Sequence, residues 1–237
     1  MNNSINNGMK LEYYYNFTPE HGKVRNNLVY TSLISRDKKT FVKWFHNDTE
    51  YHQGKNEVIE SSLMQEKWNR EVKFITLMTK NYPELIPEVL DVDFNNQKIF
   101  FKIDGVDFWQ KHYDCKCSYD KIVSNWREQK LNILSAHKKL QFYKISLHPS
   151  SYFVVDKKLK SINYFFCYNF NEGPVRFEDF RTHISKNRQE KLEKQFKDQK
   201  IWWNTEIPLK KLQLMALDSF KSNYPVDFIE AAKKIYA

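Results

Sequence analysis

The order of apolar segments in the first hundred residues constrains this chain most. Short β-like runs stand at LEYYYNF (11–17), LVYTSLI (28–34) and TFVKWF (40–45). A single long segment follows from Ile59 to Lys80, with Leu63, Trp68, Val72, Ile75 and Met78 recurring near helical spacing. Pro83 and Pro87 end it, because proline removes a helix donor and clashes with the preceding turn. PEVLDVDF and QKIFFKI then read as two strands around the turn Asn95-Asn96. SRDKK has the length and polarity of a hairpin turn, while TPEHGKVRNN and HNDTEYHQGKNE read as polar loops. The order β–β–β–α–β–β predicts an antiparallel sheet carrying one helix.

The second half changes texture. Residues 107–113 begin a short helix, and 119–143 read as one long helix with Ile122, Trp126, Ile133, Leu134, His137 and Leu140 near one stripe. A Pro-anchored turn, the strand YFVV, the charged reversal DKKLK and a strand SINYFF come next. Beyond Gly173-Pro174, the stretches 185–200, 208–221 and 225–236 look helical, with Pro208 and Pro225 at starts where proline is tolerated. Ile184, Leu192, Phe196, Leu212, Met215 and Ile229 are expected to pack these helices onto the second half. Residues 1–9 read as a disordered tail.

With 237 residues, 41% of them hydrophobic and 16% aromatic, a substantial core is available. Only 5 Gly and 7 Pro exclude a fibrous or low-complexity chain. No apolar run reaches the roughly 18 residues of a spanning helix, and MNNSINNGMK lacks a secretory apolar region. A cytoplasmic location is expected. Cys115, Cys117 and Cys167 make neither a disulfide framework nor, without a second Cys/His pair, a zinc site. They read as free thiols in a reducing compartment. Lys and Arg number 38 against 29 acids, a net of +9. Such a surface suits nucleotides, nucleic acids, acidic lipids or acidic proteins. The lysines are dispersed, with no long block that would read as a basic arm.

The element order, together with SLHPSSYFVVDKKLKSINYFF (146–166), resembles the protein-kinase-like superfamily. That superfamily holds protein kinases and small-molecule kinases of the aminoglycoside, choline and lipopolysaccharide-core sugar types. The resemblance spans roughly residues 11–236. It implies a two-lobed α+β fold, with a β-rich lobe over 10–104 and a mostly helical lobe over 105–237. Lys43 in FVKWF falls where the family's phosphate-binding Lys stands on the third strand. Glu71 on the following helix would hold it, with Glu66 as competitor. Ile103, Asp104 and Gly105 fall in the connecting segment, whose backbone would meet an adenine edge. Small-molecule kinases carry D-L-x-P-x-N and then I-D-F. Here Leu147 and Pro149 keep the frame, Ser146 stands at the catalytic Asp, Ser151 at the Asn, and Asn163, after Ile162, at the metal-binding Asp.

The chemical consequence of those replacements is large. Mg²⁺ prefers carboxylate oxygens, and a serine without an activating partner is no general base near neutral pH. His148 is the nearby group that could accept a proton. Between the first strands only Gly22 remains of a Gly-rich phosphate loop. The resemblance therefore implies a pseudokinase acting as a binding or regulatory module for a protein or nucleotide partner. No metal site is expected, and ATP would be at most a weak, Mg²⁺-independent ligand. Two other readings stay open, and so does the oligomeric state. One is an active, atypical phosphotransferase acting on a sugar or other small molecule, with metal ligands from Asp120, Asp156 or Asp179. The other is a basic binder of nucleic acid or acidic polymer, with Trp202-Trp203 as a stacking pair, although no helix-turn-helix or RNA-binding motif is present.

Overall fold

A polar turn fixes the hairpin at the centre of the sheet. In the computed structural model, the Ser35 hydroxyl donates to Asp37 (2.6 Å) and accepts the Thr40 N–H (2.9 Å), and Lys38 takes a left-handed φ of 55°. The structure describes residues 9–14, 16–18, 22–24, 30–46, 61–176 and 204–237. Strands β4 (Thr31–Ser35) and β5 (Thr40–Trp44) flank that turn. With β1 (Leu11–Tyr13), β6 (Val89–Asp93) and β7 (Lys98–Lys102) they form a five-stranded antiparallel sheet in the order β1-β4-β5-β7-β6. Lys43 sits on the central strand, opposite Ser32 on one side and Ile99 on the other. Side chains alternate along a strand, so Phe41, Lys43 and Phe45 share a face. A small hairpin of β2 (Asn16–Thr18) and β3 (Gly22–Val24) stands apart, so the loop expected over TPEHGKVRNN carries a strand at its centre.

Helix α1 (Ser61–Asn81) buries Met64, Trp68, Phe74, Ile75 and Met78, and a short 3-10 turn at Pro83–Leu85 follows its end. Its apolar face joins the sheet through Trp68, whose ring lies 5.5 Å from that of Phe45.

In the second half, α2 (Phe108–Cys115) starts at Asp107, whose carboxylate accepts the Gln110 N–H. The helix expected over 119–143 is broken. It divides into α3 (Tyr119–Ile122) and α4 (Trp126–Lys139), with Val123 extended between them, and ends before β8 (Phe142–Lys144). Gln141 turns the chain with a left-handed φ of 57°, and β8 pairs with β11 (Cys167–Asn169). The reversal after YFVV is tighter than expected. β9 (Tyr152–Val155) pairs with β10 (Lys158–Ser161) around Asp156 and Lys157, both at positive φ, a two-residue turn of the kind that matches strand twist. SINYFF is therefore not a strand beyond Ser161. It leaves the hairpin as a loop, with Asn163 at φ 68°.

A two-residue ladder joins β12 (Val175–Arg176) to β13 (Glu206–Ile207). Helices α5 (Leu209–Ser219) and α6 (Val226–Tyr236) then bury Leu212, Leu217, Phe228, Ile229 and Tyr236. Met215 is only half-buried. Trp126 is fully buried, its ring stacked 5.8 Å from Tyr224 and 5.2 Å from Phe228. Phe41 on the sheet packs against Phe153 on the hairpin at 5.0 Å, which continues one core across both halves. This α+β arrangement is consistent with the two-lobed fold that the sequence resembles. The tail at 1–8, most of the loop at 46–57, the 185–200 helix, Ile184, Leu192, Phe196, Asp179 and Trp202-Trp203 lie outside the described residues.

The cysteines require a correction. Cys115 and Cys117 are bonded to each other at the end of α2, and Cys167 alone is a free thiol, buried on β11. The left-handed backbone at Lys116 brings the two side chains to one side of the helix end, with Cα atoms 5.2 Å apart. No described helix is long and apolar enough to cross a membrane.

Candidate functional site

Two buried groups meet beneath the sheet. The Lys43 ammonium lies 2.6 Å from a Glu71 carboxylate oxygen, and neither side chain reaches solvent. The other Glu71 oxygen accepts the N–H of Phe165 (2.6 Å), which ties α1 to the loop after β10. Three rings surround the ammonium: Tyr30 at 4.2 Å, Phe165 at 4.9 Å and Phe45 at 5.2 Å. Burial pulls the Lys43 pKa down to about 8 against the opposing pull of Glu71. Glu66 lies elsewhere on α1, engaged by Arg70 (2.8 Å) and Lys67 (3.5 Å). Arg70 also reaches the Cys167 carbonyl (2.9 Å) and Glu172 (2.8 Å), a second tie between α1 and the helical half.

Ser146, Ser151 and Asn163 come together. Asn163 Nδ2 donates to Ser151 Oγ (3.0 Å), and the two serine hydroxyls are 3.0 Å apart. Asn163 Oδ1 accepts from the Tyr30 hydroxyl (2.7 Å). A chain of neutral hydrogen bonds thus runs from Tyr30, ahead of β4, through Asn163 and Ser151 to Ser146. Its inner members are buried, with Tyr30 at 4%, Asn163 at 5% and Ser151 at 1% exposure. Each hydroxyl and amide has a partner, so burial leaves these groups satisfied. The loop builds this locally: the His148 carbonyl accepts the Ser151 N–H (2.8 Å), and the Ser151 carbonyl accepts the Ile162 N–H (2.9 Å).

Behind the chain, Lys144 is fully buried and donates to the Ser146 carbonyl. Burial lowers its pKa to about 8. His148 half-faces solvent, with its Nδ1 beside the Ser150 hydroxyl (2.8 Å). In the connecting segment, Ile103 is buried and its N–H goes to the Lys39 carbonyl (2.8 Å), while the Gly105 N–H goes to the Lys38 carbonyl (3.0 Å). The exposed Asp104 side chain pairs with Lys39 at 3.1 Å. Those N–H groups are spent on the β4–β5 turn. Gly105 holds φ 88°, which favours glycine.

Of the carboxylates that could replace the missing metal ligands, the two among the described residues, Asp120 and Asp156, form no contact with this cluster. Asp120 pairs with Arg127 on the surface (2.9 Å), and Asp156 occupies the exposed β9–β10 turn. Among the described residues, no group of three or more His, Cys, Asp or Glu side chains could hold a metal ion. The residue that the sequence reading missed is Tyr30. It looked like an ordinary member of LVYTSLI, and nothing local marks a tyrosine that will bridge to Asn163 across 133 residues.

No family model matches the chain, and no curated protein matches it. Among solved structures it is similar to the bifunctional kinase-methyltransferase WbdD, at 10% identity and a TM-score of 0.46. The likeness covers 96% of this chain and 46% of that one, so the chain spans about half the length of that protein. A score below one half at such low identity carries no weight for the chemistry.

Proposed function

We propose that this protein is a kinase-like binding module, formed by lobes at 10–104 and 105–237, that does not transfer phosphate. The observation that carries this reading is the neutral chain Tyr30–Asn163–Ser151–Ser146, at the positions where the resemblance puts the family's base and metal ligands. Phosphoryl transfer relies on metal ions that neutralise charge on the phosphate oxygens. Amide and hydroxyl oxygens bind Mg²⁺ poorly compared with carboxylates, and here they are already engaged with one another. Among the described residues Ser146 has no base at hydrogen-bond distance that would activate it: its hydroxyl meets Ser151, and Lys144 meets its carbonyl. The Lys43–Glu71 pair, which would serve the nucleotide, is sealed under aromatic rings and acts as a strut between α1 and the sheet. Its role is then to present a folded surface to a partner protein or nucleotide, with a net charge of +9 favouring an anionic one.

A thermal-shift titration of ATP with and without Mg²⁺ tests the reading. No metal-dependent rise in melting temperature is expected. A large rise that requires Mg²⁺ would instead support an active phosphotransferase drawing its metal ligands from elsewhere in the chain.

A further inference from the structure

The Cys115–Cys117 disulfide takes no part in the site above. It bridges residues two apart at the end of α2 and ties no distant elements together. A cross-link over so short a loop constrains the unfolded chain less than one joining distant elements. The turn also stands on other bonds. The Lys116 N–H goes to the Tyr113 carbonyl (3.3 Å), and His112 Nδ1 meets the Cys117 carbonyl (2.5 Å). Breaking the S–S bond therefore leaves the two cysteines side by side. Cys115 is exposed together with Asp114 and Lys116, whereas Cys117 is half-buried. The Cys115 sulfur lies 3.7 Å from the His112 carbonyl, an acceptor at the helix end that a thiol can donate to and a disulfide cannot. Cys167, the third cysteine of the chain, is fully buried and offers no internal exchange partner.

We infer that Cys115–Cys117 is a reversible thiol–disulfide exchange site, attacked by small thiols at the exposed Cys115 sulfur. The thiolate of the incoming molecule forms a new S–S bond to Cys115. The bond to Cys117 breaks, and Cys117 leaves with the electron pair and takes the proton that the incoming thiol gave up. A second small thiol attacks the mixed disulfide at the small molecule's sulfur. Cys115 is released as a thiol, and the small molecule departs as its symmetric disulfide. Two small thiols are thus oxidised to one disulfide, while the two cysteines gain two electrons and two protons. The same steps in reverse re-form the bond. Access to the attacked sulfur governs the rate of such exchange, which is why the exposed member of the pair receives the thiol. The redox poise of the surrounding thiols is thereby recorded at the surface end of α2. This chemistry needs nothing from the cluster at Lys43.

The test equilibrates the full chain, without oxygen, in mixtures of reduced and oxidised glutathione. Samples are acid-quenched and alkylated, and the cysteines are read by mass spectrometry, with folding followed by circular dichroism. Protein started oxidised and protein started reduced should converge on one partly reduced state, set by the glutathione ratio at roughly millimolar thiol, with the fold intact. In oxidised glutathione, Cys117→Ser should take one glutathione on Cys115. Cys115→Ser should take it on Cys117 about tenfold more slowly, because that sulfur is half-buried. A disulfide that resists glutathione in the native chain and yields only in urea overturns the proposal. So does a reduced, folded chain in which oxidised glutathione fails to re-form the bond. Equal rates in the two single variants overturn the assignment of the attack to Cys115.

Discussion

Lys43 and Glu71 have been withdrawn from water together, and each is tolerable only because of the other. Breaking such a pair leaves a buried charge uncompensated, at about 3–5 kcal/mol, whereas replacing both members by apolar side chains is often neutral or stabilising. Glu71→Gln should therefore lower stability by about 3–5 kcal/mol in urea unfolding. The double change Lys43→Met with Glu71→Leu should recover most of that loss, and a double variant as unstable as the single one would show that the pair is not the source. Lys130 presents the opposite case. It is fully buried with no carboxylate paired to it among the described residues, its ammonium lies 3.6 Å from the Tyr152 ring centre and meets the Tyr224 hydroxyl, and burial with nearby Lys144 drives its pKa well down. Lys130→Met removes a poorly compensated amine while keeping the apolar stem. It should raise the melting temperature by a few degrees, about 2–4 °C per kcal/mol for a chain of this size.

At the scale of elements, α5 and α6 close the core over α4. Tyr224 bridges to the Leu147 carbonyl at 2.8 Å, and Tyr236 lies 3.4 Å from the Leu134 carbonyl. Deleting residues 208–237 exposes the apolar face of α4 around Trp126, Ile133 and Leu134. The truncated chain should aggregate or melt without a cooperative transition, and an unchanged melting temperature would refute the packing described. The sheet and α1 were legible because period-two and helical patterns there coincide with strong punctuation at Pro83, Pro87 and the polar turns. The second half was less so. Ser124 and Asn125 are good helix-start residues, yet the apolar stripe runs straight through them, so the break between α3 and α4 was hidden. β8 escaped notice because three residues pair with a partner more than twenty positions away. The convergence of Ser146, Ser151 and Asn163 was readable from the loop frame. Its lock by Tyr30 was not, because the tyrosine comes from the other half of the chain.

Across the whole molecule, the buried amines set a pH dependence. The folded pKa values of Lys144 and Lys43 are pulled down to about 8, and that of Lys130 well below its ordinary 10.5, all chiefly by burial. Between about pH 8 and 9 the unfolded chain thus binds more protons than the folded one, so stability rises with pH. The opposite sign enters higher up, where Cys167 and the buried tyrosines Tyr164, Tyr224 and Tyr236, all held above their ordinary values, keep protons that the unfolded chain releases. The melting temperature should climb from pH 7.5 to 9 and turn over near pH 10; a steady fall across that range would contradict the burial of the amines. Purified wild-type protein should be incubated with radiolabelled ATP and Mg²⁺, and the release of phosphate and its transfer to protein or added sugar followed beside the Lys43→Met, Glu71→Leu double variant. With neutral side chains at 146, 151 and 163, the wild type should show no turnover above that control. Turnover well above it, dependent on Mg²⁺, would show a working phosphotransferase.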